Sequence, residues 1–384
     1  MIARKEMDRS IKTDMNTYFT KEDTRVIKGI AIILMLIHHL YFFPERMIEN
    51  GLVCQLGGLE HKFVYYMSSF GKICVSIFFF LSGYGIYKST IKRKIDLIAR
   101  LKNVYISYWK VFIIFIPLAF AFFSKQPTYC KDEIICHVYQ NFSLGEFIRN
   151  FIGLDCSYNR EWWFLIKYVY AIITFPLIKK LIDRFSTITN ATGIIICHLL
   201  VSYIFPNLRN VEFFSTLANS YIYNIFFCQT APFISCFWMG TLLAKDNLLE
   251  KLKVALQRNN MLDPGKDLCI LGLIVYLRVV AVGQSIDMIY VPIFIICMTD
   301  LLSYLKPVKK VAMLIGREST NMWLTHTFFC YYFYPFAKLI SATKDAIVAW
   351  IILIVISYVA SVGVTEFWKN IDKIYGRIIC NFQK

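Results

Sequence analysis

Thr24-Arg25-Val26-Ile27-Lys28-Gly29-Ile30-Ala31-Ile32-Ile33-Leu34-Met35-Leu36-Ile37-His38-His39-Leu40-Tyr41-Phe42-Phe43 is the stretch that decides the fold. Beyond Lys28 it is apolar throughout except for two adjacent histidines, and it reads as a membrane-crossing helix with a cationic foot. Eleven positions separate Lys28 from His39. That is close to three helical turns, so the two side chains project within roughly 20° of one another, about 16 Å apart along the axis. Arg25 lies one turn before Lys28, on much the same face. An imidazole inside a lipid-spanning helix is costly, which makes it a functional-site hypothesis by default.

Runs of the same kind recur along the chain. After Lys28 to Phe43, candidate spans are Lys72 to Tyr87, Ser107 to Phe123, Trp162 to Lys179, Gly193 to Phe205, Tyr221 to Ala244, Leu268 to Val282, Ser285 to Leu305, Asn321 to Ile340 and Ala346 to Glu366. The expectation is an all-α polytopic membrane helix bundle of about ten transmembrane helices. The chain is 57% hydrophobic with a mean hydropathy of +0.51, which soluble domains rarely reach. Residues 1–384 read as a single integral membrane domain, with no cleavable signal peptide and no appended soluble domain.

The net charge of +16 would point to nucleic acid only if taken alone. The basic residues sit between apolar runs, in the amino-terminal segment through Lys28, Lys88 to Lys102, Lys179 to Arg184, Lys245 to Lys266, Lys306 to Lys310 and Lys369 to Lys384. With ten spans all six fall on one side, so both termini (1–24 and the tail 367–384) are expected in the cytoplasm. No nucleic-acid partner is expected. Residues Lys125 to Glu161 form a longer outer loop with a short amphipathic helix around Leu144 to Ile152, expected to lie on the outer surface. Asn141-Phe142-Ser143 in that loop is a glycosylation sequon, which matters only in a eukaryotic secretory pathway. Twelve cysteines show no metal-ligand spacing, and no metal site is expected. Cys54, Cys130, Cys136 and Cys156 fall in outer segments where a disulfide can form; the rest read as small apolar fillers.

His39 is the leading candidate for a general base, since a neutral imidazole in a partly dry cavity can take the proton of an attacking hydroxyl. The bland alternative is an interhelical hydrogen bond, at about even odds for a lone intramembrane histidine. His38 points roughly 100° away and reads as a packing or orienting residue. Ser82, Gly83 and Gly85 in the second span permit close helix approach, which ordinary membrane packing also uses. Glu161-Trp162-Trp163 reads first as an interfacial aromatic belt and second as a sugar-stacking platform. Ser319 and His326 share a helical face, but about 10 Å of axial rise rules out a nucleophile pair within one helix. His326 either faces His39 across the bundle or simply packs. Arg278 must meet a cavity, Asp287 or another acid, either as a cationic wall near a developing oxyanion or as a structural ion pair.

These segments, in this order, resemble the membrane acyltransferase family 3, multi-pass proteins that O-acylate sugars. Lys28 and His39 take the places of the family's Arg, ten residues, then His. Phe78, Phe79, Ser82 and Gly83 match its Phe-Phe-x-x-Ser-Gly. Trp163-Phe164-Leu165 is similar to the motif opening the fourth span, and Gly316-x-x-Ser319 with Trp323-Leu324-Thr325-His326 is similar to the family's last motif pair. The family's paired arginines after the second span are represented only in part, by Arg100 and Lys102.

The resemblance implies an O-acetyltransferase that takes acetyl-CoA as co-substrate, with no other cofactor. Arg25, Lys28, Arg100 and Lys102 would hold the donor's phosphates. The acceptor would be a surface or exported polysaccharide (capsule or exopolysaccharide) or a lipid-linked sugar, reaching His39 past Trp163. Polysaccharide biosynthesis proteins are the expected partners, and a bacterial cytoplasmic membrane the expected location. The rival is a transporter or flippase for sugar or lipid-linked sugar, which would show discontinuous helices and pseudo-symmetric halves. A polymerase would carry a large catalytic outer loop, and a non-catalytic scaffold would not require Lys28 and His39 on one face.

Overall fold

Thr20 and Asp23 close a capping box ahead of the first helix. The Asp23 N–H donates to Thr20 Oγ1 at 3.1 Å, and the Thr20 N–H donates to Asp23 Oδ2 at 2.9 Å. With its first free N–H groups satisfied, the apolar run continues as one helix from Lys21 to Tyr41, just short of Pro44, which disfavours helix in the residue before it. The computed structural model describes residues 19–43, 58–92, 96–128, 137–220, 223, 231–343 and 345–382. Cys54, Cys130, Cys136, most of 221–230 and residues 1–18 of the expected amino-terminal segment lie outside the described residues.

The helices, in chain order, begin with α1 (Lys21–Tyr41), α2 (Gly58–Gly71), α3 (Ile73–Lys92), α4 (Leu97–Phe122) and α5 (Leu144–Phe151). Then come α6 (Phe164–Arg184), α7 (Thr187–Leu199), α8 (Glu212–Ala218), α9 (Ala231–Ala244), α10 (Leu248–Arg258) and α11 (Pro264–Tyr276). The order closes with α12 (Asp287–Tyr304), α13 (Lys306–Arg317), α14 (Ser319–Thr327), α15 (Tyr334–Ser341) and α16 (Ala346–Phe382). No strand occurs among the described residues, so the chain is all-helical. Among the described residues six segments are long and apolar enough to cross a membrane: Lys21–Tyr41, Lys62–Ile91, Leu97–Phe122, Thr187–Asn210, Gln284–Tyr304 and Ala346–Ile374.

Several elements differ from the expectation. Residues 58–71, read as loop, form α2, because the stretch from Leu59 to Phe70 contains neither proline nor glycine. The ninth span is broken rather than continuous. A π-turn, Phe328–Tyr332, follows α14, and the chain turns at Phe333 before restarting as α15. Pro335 explains the break, since it offers no N–H to the carbonyl four residues back and sits well in a helix's first turn.

The outer-loop helix forms as α5, but it packs alongside the middle of α4 instead of beyond its end. Phe151 stacks on Trp109 with ring centres 5.2 Å apart, and Phe147 meets Phe112 edge-on at 5.3 Å. Its apolar face thereby finds aromatic partners, while Leu144 and Ile148 stay exposed.

The helices form two compact units. The first gathers the described parts of 1–31, 72–97 and 167–316, the second those of 32–71, 98–166 and 317–384. In the first unit α3 and α9 cross at two glycines. Gly83 lies against the Phe237 carbonyl and Gly240 against the Phe80 carbonyl, where any Cβ would overlap the oxygen. The first half of α1 meets α13 in the same manner, Gly29 against the Ala312 carbonyl and Gly316 against that of Arg25. Small residues let backbones approach where no hydrophobic gradient drives association. In the second unit the other half of α1 is tied to α16. The Trp350 indole donates to the Ile33 carbonyl at 3.2 Å, and the Tyr41 hydroxyl to that of Ala346 at 2.7 Å.

Candidate active site

Two histidines meet inside the second unit. His39, in the last turn of α1, and His326, near the end of α14, have ring centres 5.0 Å apart. The neighbouring His38 is turned away, with Nδ1 2.8 Å from the Ser68 carbonyl, and is buried. His39 is only half-buried. The roughly 100° between consecutive helical positions thus separates a buried histidine from a half-buried one.

His326 is fully buried, and its Nδ1 lies 2.9 Å from the Trp323 carbonyl and 3.1 Å from that of Met322. Both partners only accept, so Nδ1 carries the proton and Nε2 carries the lone pair in the neutral ring. Nε2 has no hydrogen-bond partner among the described residues. Leaving such an atom buried costs about 1–3 kcal/mol, more than a packing role explains.

The π-turn after His326 carries two tyrosines into the same region. The Tyr331 hydroxyl donates to the main-chain carbonyl of His39, satisfying one of the last carbonyls of α1 that no helical N–H can reach. The Tyr332 hydroxyl accepts from the Arg160 N–H at 2.9 Å and donates to Glu161 at 3.4 Å. Asn159 donates to Thr327 Oγ1 at 2.7 Å, and the Trp162 indole donates to the Leu324 carbonyl at 3.0 Å. Residues 159–162 therefore line the helix that bears His326. The loop above them is set by Tyr139, whose hydroxyl donates to the Tyr158 carbonyl at 2.6 Å. Burial, reinforced by the Glu161 carboxylate, pushes the Tyr139 phenol well above its usual pKa and keeps that donor protonated.

Trp162 is buried against Tyr108, Phe112 and Phe328, so the belt reading does not hold for it. Trp163, the residue singled out from the sequence, is half-buried beside it. Asn159, Tyr331 and Tyr332 went unrecognised in the sequence, and Trp162 was read only as part of the belt. The available signal was Asn159, an N-cap residue whose side chain accepts from the Glu161 N–H and so starts a helical turn at the tryptophans.

The other candidates distribute between the units. Arg25 is exposed and Lys28 half-buried on the first turns of α1, in the first unit. α1, which bears Lys28 and His39, is one unbroken helix from Lys21 to Tyr41. Arg100, half-buried, and Lys102, exposed, open α4 in the second unit. Arg278 is buried in the first unit and binds Asp287 through two nitrogens, Nε at 2.7 Å and Nη2 at 3.0 Å. Gly83 is a packing contact and Ser82 lies half-buried beside it. Ser319 is buried at the first position of α14, and Cys156 forms no disulfide with a described residue.

Residues 23–366 match the family model for acyltransferase family 3, described as an acyltransferase domain. No curated protein and no solved structure matches the chain.

Proposed function

The chain belongs to the acyltransferase family 3, and from that membership we propose that it moves an acetyl group from acetyl-CoA to a hydroxyl of a surface or exported polysaccharide. Apolar helices of membrane-crossing length together with the family make it a multi-pass membrane acyltransferase. The finer reading has ten spans with both termini in the cytoplasm of a bacterial cell, supported by the one-sided basic segments.

The observation that carries the chemistry is the approach of His39 to a second imidazole whose tautomer is fixed by two carbonyls. His39 takes the proton of the acceptor hydroxyl. The hydroxyl oxygen attacks the thioester carbonyl, the carbon–sulfur bond breaks, and the proton returns to the departing thiolate. The products are an ester and a free thiol. His326 supplies a neighbouring lone pair to share the proton held by His39. Arg25, Lys28, Arg100 and Lys102 are the proposed contacts for the donor's phosphates, since cations of this kind recognise phosphate.

The test is made in cells with a defined surface polysaccharide, by measuring ester-linked acetyl groups. His39→Ala at normal protein level is expected to lose them; unchanged acetylation removes His39 as the base. Lys28→Arg is expected to keep most of the activity and Lys28→Ala to lose it. An alanine variant as active as wild type would show that the cation is dispensable.

A further inference from the structure

In the second unit the chain beyond α4 folds back along that helix. Phe142 meets Phe120 with ring centres 5.6 Å apart, Phe147 meets Phe112 at 5.3 Å, and Phe151 stacks on Trp109 at 5.2 Å. α5 therefore runs from the level of Phe120 to that of Trp109, about 16 Å along α4. The chain turns at Gly153, whose φ of 76° and close approach to Leu165 disfavour any side chain. It then returns, and Tyr158 meets Phe120 at 5.4 Å. Residues 142–158 thus form a hairpin that enters and leaves at one end of α4, a segment of membrane-crossing length.

A hairpin at that depth stands in lipid only if protein satisfies its backbone. Gly153 donates to the Asn150 carbonyl at 2.9 Å, and Leu154 and Asp155 donate to that of Arg149 at 3.0 and 3.2 Å. The Cys156 and Ser157 N–H groups donate to Asp155 Oδ1, and the Tyr158 N–H donates to Asn150 Oδ1. The carbonyls at the end of α5 are met from α4. Asn150 accepts from the Tyr108 hydroxyl at 2.7 Å, Phe151 from the Trp109 indole at 2.8 Å, and Ile152 from the Tyr105 hydroxyl at 3.2 Å. Carbonyls in such positions have no helical partner and are often left to water.

The faces of α5 have separate neighbours. Phe147 and Phe151 face α4. Glu146 and Asn150 face the returning arm, where Ser157 Oγ donates to Glu146 and accepts from Asn150 Nδ2 at 2.9 Å. Leu144, Ile148 and Ile152 form an apolar stripe that is 64, 49 and 40% exposed. The remaining edge carries Arg149, which is ion-paired with Asp155 at 3.7 Å. Its Nη1 lies over Gly145, 3.5 Å from where a Cβ would stand. The guanidinium thus reaches back toward the end at which the hairpin enters, as the head of a cation does when its stem lies in hydrocarbon.

We propose that residues 142–158 are a re-entrant hairpin and that the Leu144–Ile148–Ile152 stripe of α5 is a contact surface for lipid acyl chains. A helix lying on the membrane surface turns its apolar face inward and its polar face to water. The polar face of α5 is closed against the returning arm, and Asn150 is fully buried. On the stretch of α4 that the hairpin follows, Ile106 and Ile113 are exposed as well, so the stripe continues an apolar exterior. Nothing in this surface depends on acyl transfer.

The test uses the purified full-length protein in phosphatidylcholine bilayers carrying one of two photoreactive lipids. One holds its diazirine near the end of an acyl chain, the other on the headgroup. After illumination, mass spectrometry of the peptides locates the adducts. The acyl-chain probe is expected to mark Leu144, Ile148 and Ile152 at least as heavily as Ile113 of α4. Hydroxyl-radical footprinting in the same bilayers is expected to spare the stripe while modifying Met261, which is exposed in the turn after α10. Adducts from the headgroup probe alone, with radical modification of Ile148, would make α5 a surface helix and overturn the proposal. A stripe without lipid adducts beside a labelled Ile113 would mean that protein covers it, which overturns the proposal equally.

Discussion

A histidine whose Nδ1 is committed to main-chain carbonyls has a lone pair of fixed position, and His326 is such a residue. The same helical arithmetic that separates His38 from His39 was available from the sequence, because it needs only an unbroken α1. The closeness of His326 to His39 stood there only as one of two alternatives. Two residues 287 positions apart share no local pattern, and the motif around His326 fits a packing histidine equally well. Trp162 was misread for a related reason, since an indole at a helix start looks the same in sequence whether it faces lipid or a neighbouring helix. His326→Gln separates the roles. Glutamine keeps an amide donor for the Trp323 carbonyl but removes the basic nitrogen. Acetyl transfer is expected to fall on the order of a hundredfold or more, the usual contribution of acid–base catalysis. The thermal midpoint should move by no more than a few degrees. A variant within threefold of wild type in acetylated product would reduce His326 to packing.

Each of the three π-turns among the described residues prolongs a helix beside a buried polar group. Leu200–Ile204 follows His198, Leu277–Ala281 contains Arg278, and Phe328–Tyr332 follows His326. Such turns are rare and concentrate at functional sites, because the widened ring re-aims the side chains that follow. Propensity does not mark them, and hydrophobic periodicity cannot distinguish a π-turn from one more turn of α-helix, so these irregularities were not legible in the sequence. The small-residue crossings were more legible. Gly83 was readable as a close-approach residue, although only the structure pairs it with Phe237. Gly85 lies two residues on and has open space around it. Gly83→Ala is expected to destabilise by about 1–3 kcal/mol, since the added methyl overlaps a carbonyl that belongs to another helix and cannot rotate away. Gly85→Ala should be neutral or slightly stabilising, within about 0.5 kcal/mol plus the gain in helix propensity. Thermal unfolding in detergent distinguishes the two, and equal effects would mean that α3 and α9 do not cross at Gly83.

At the level of the whole chain, sidedness is an expectation drawn from composition and not from packing, because it rests on positive charge flanking apolar runs. The seventh span tests it most severely. By apolarity alone it looked short, and α11 covers only Pro264 to Tyr276, yet the π-turn carries the helical path on to Ala281. Eighteen residues at 1.5 Å each give about 27 Å, close to the roughly 30 Å of a hydrocarbon core. The N-cap at Asp263, which accepts from the Gly265 and Lys266 N–H groups at 3.0 Å, and Gly283, at a positive φ of 87°, are then turns at opposite ends of one crossing. A ten-span topology with cytoplasmic termini requires the Asn259–Asp263 turn to face the cytoplasm and the Gly283–Ser285 turn to face outward. Reporter fusions decide it. A cytoplasmic fluorescent protein joined after Asn260 should be bright and alkaline phosphatase there inactive, while after Gln284 the pattern should reverse. If both positions reported the same side, α11 would not cross, the basic segments on either side of it would lose their common face, and the placement of Arg25 and Lys28 at a cytoplasmic donor would fall with them.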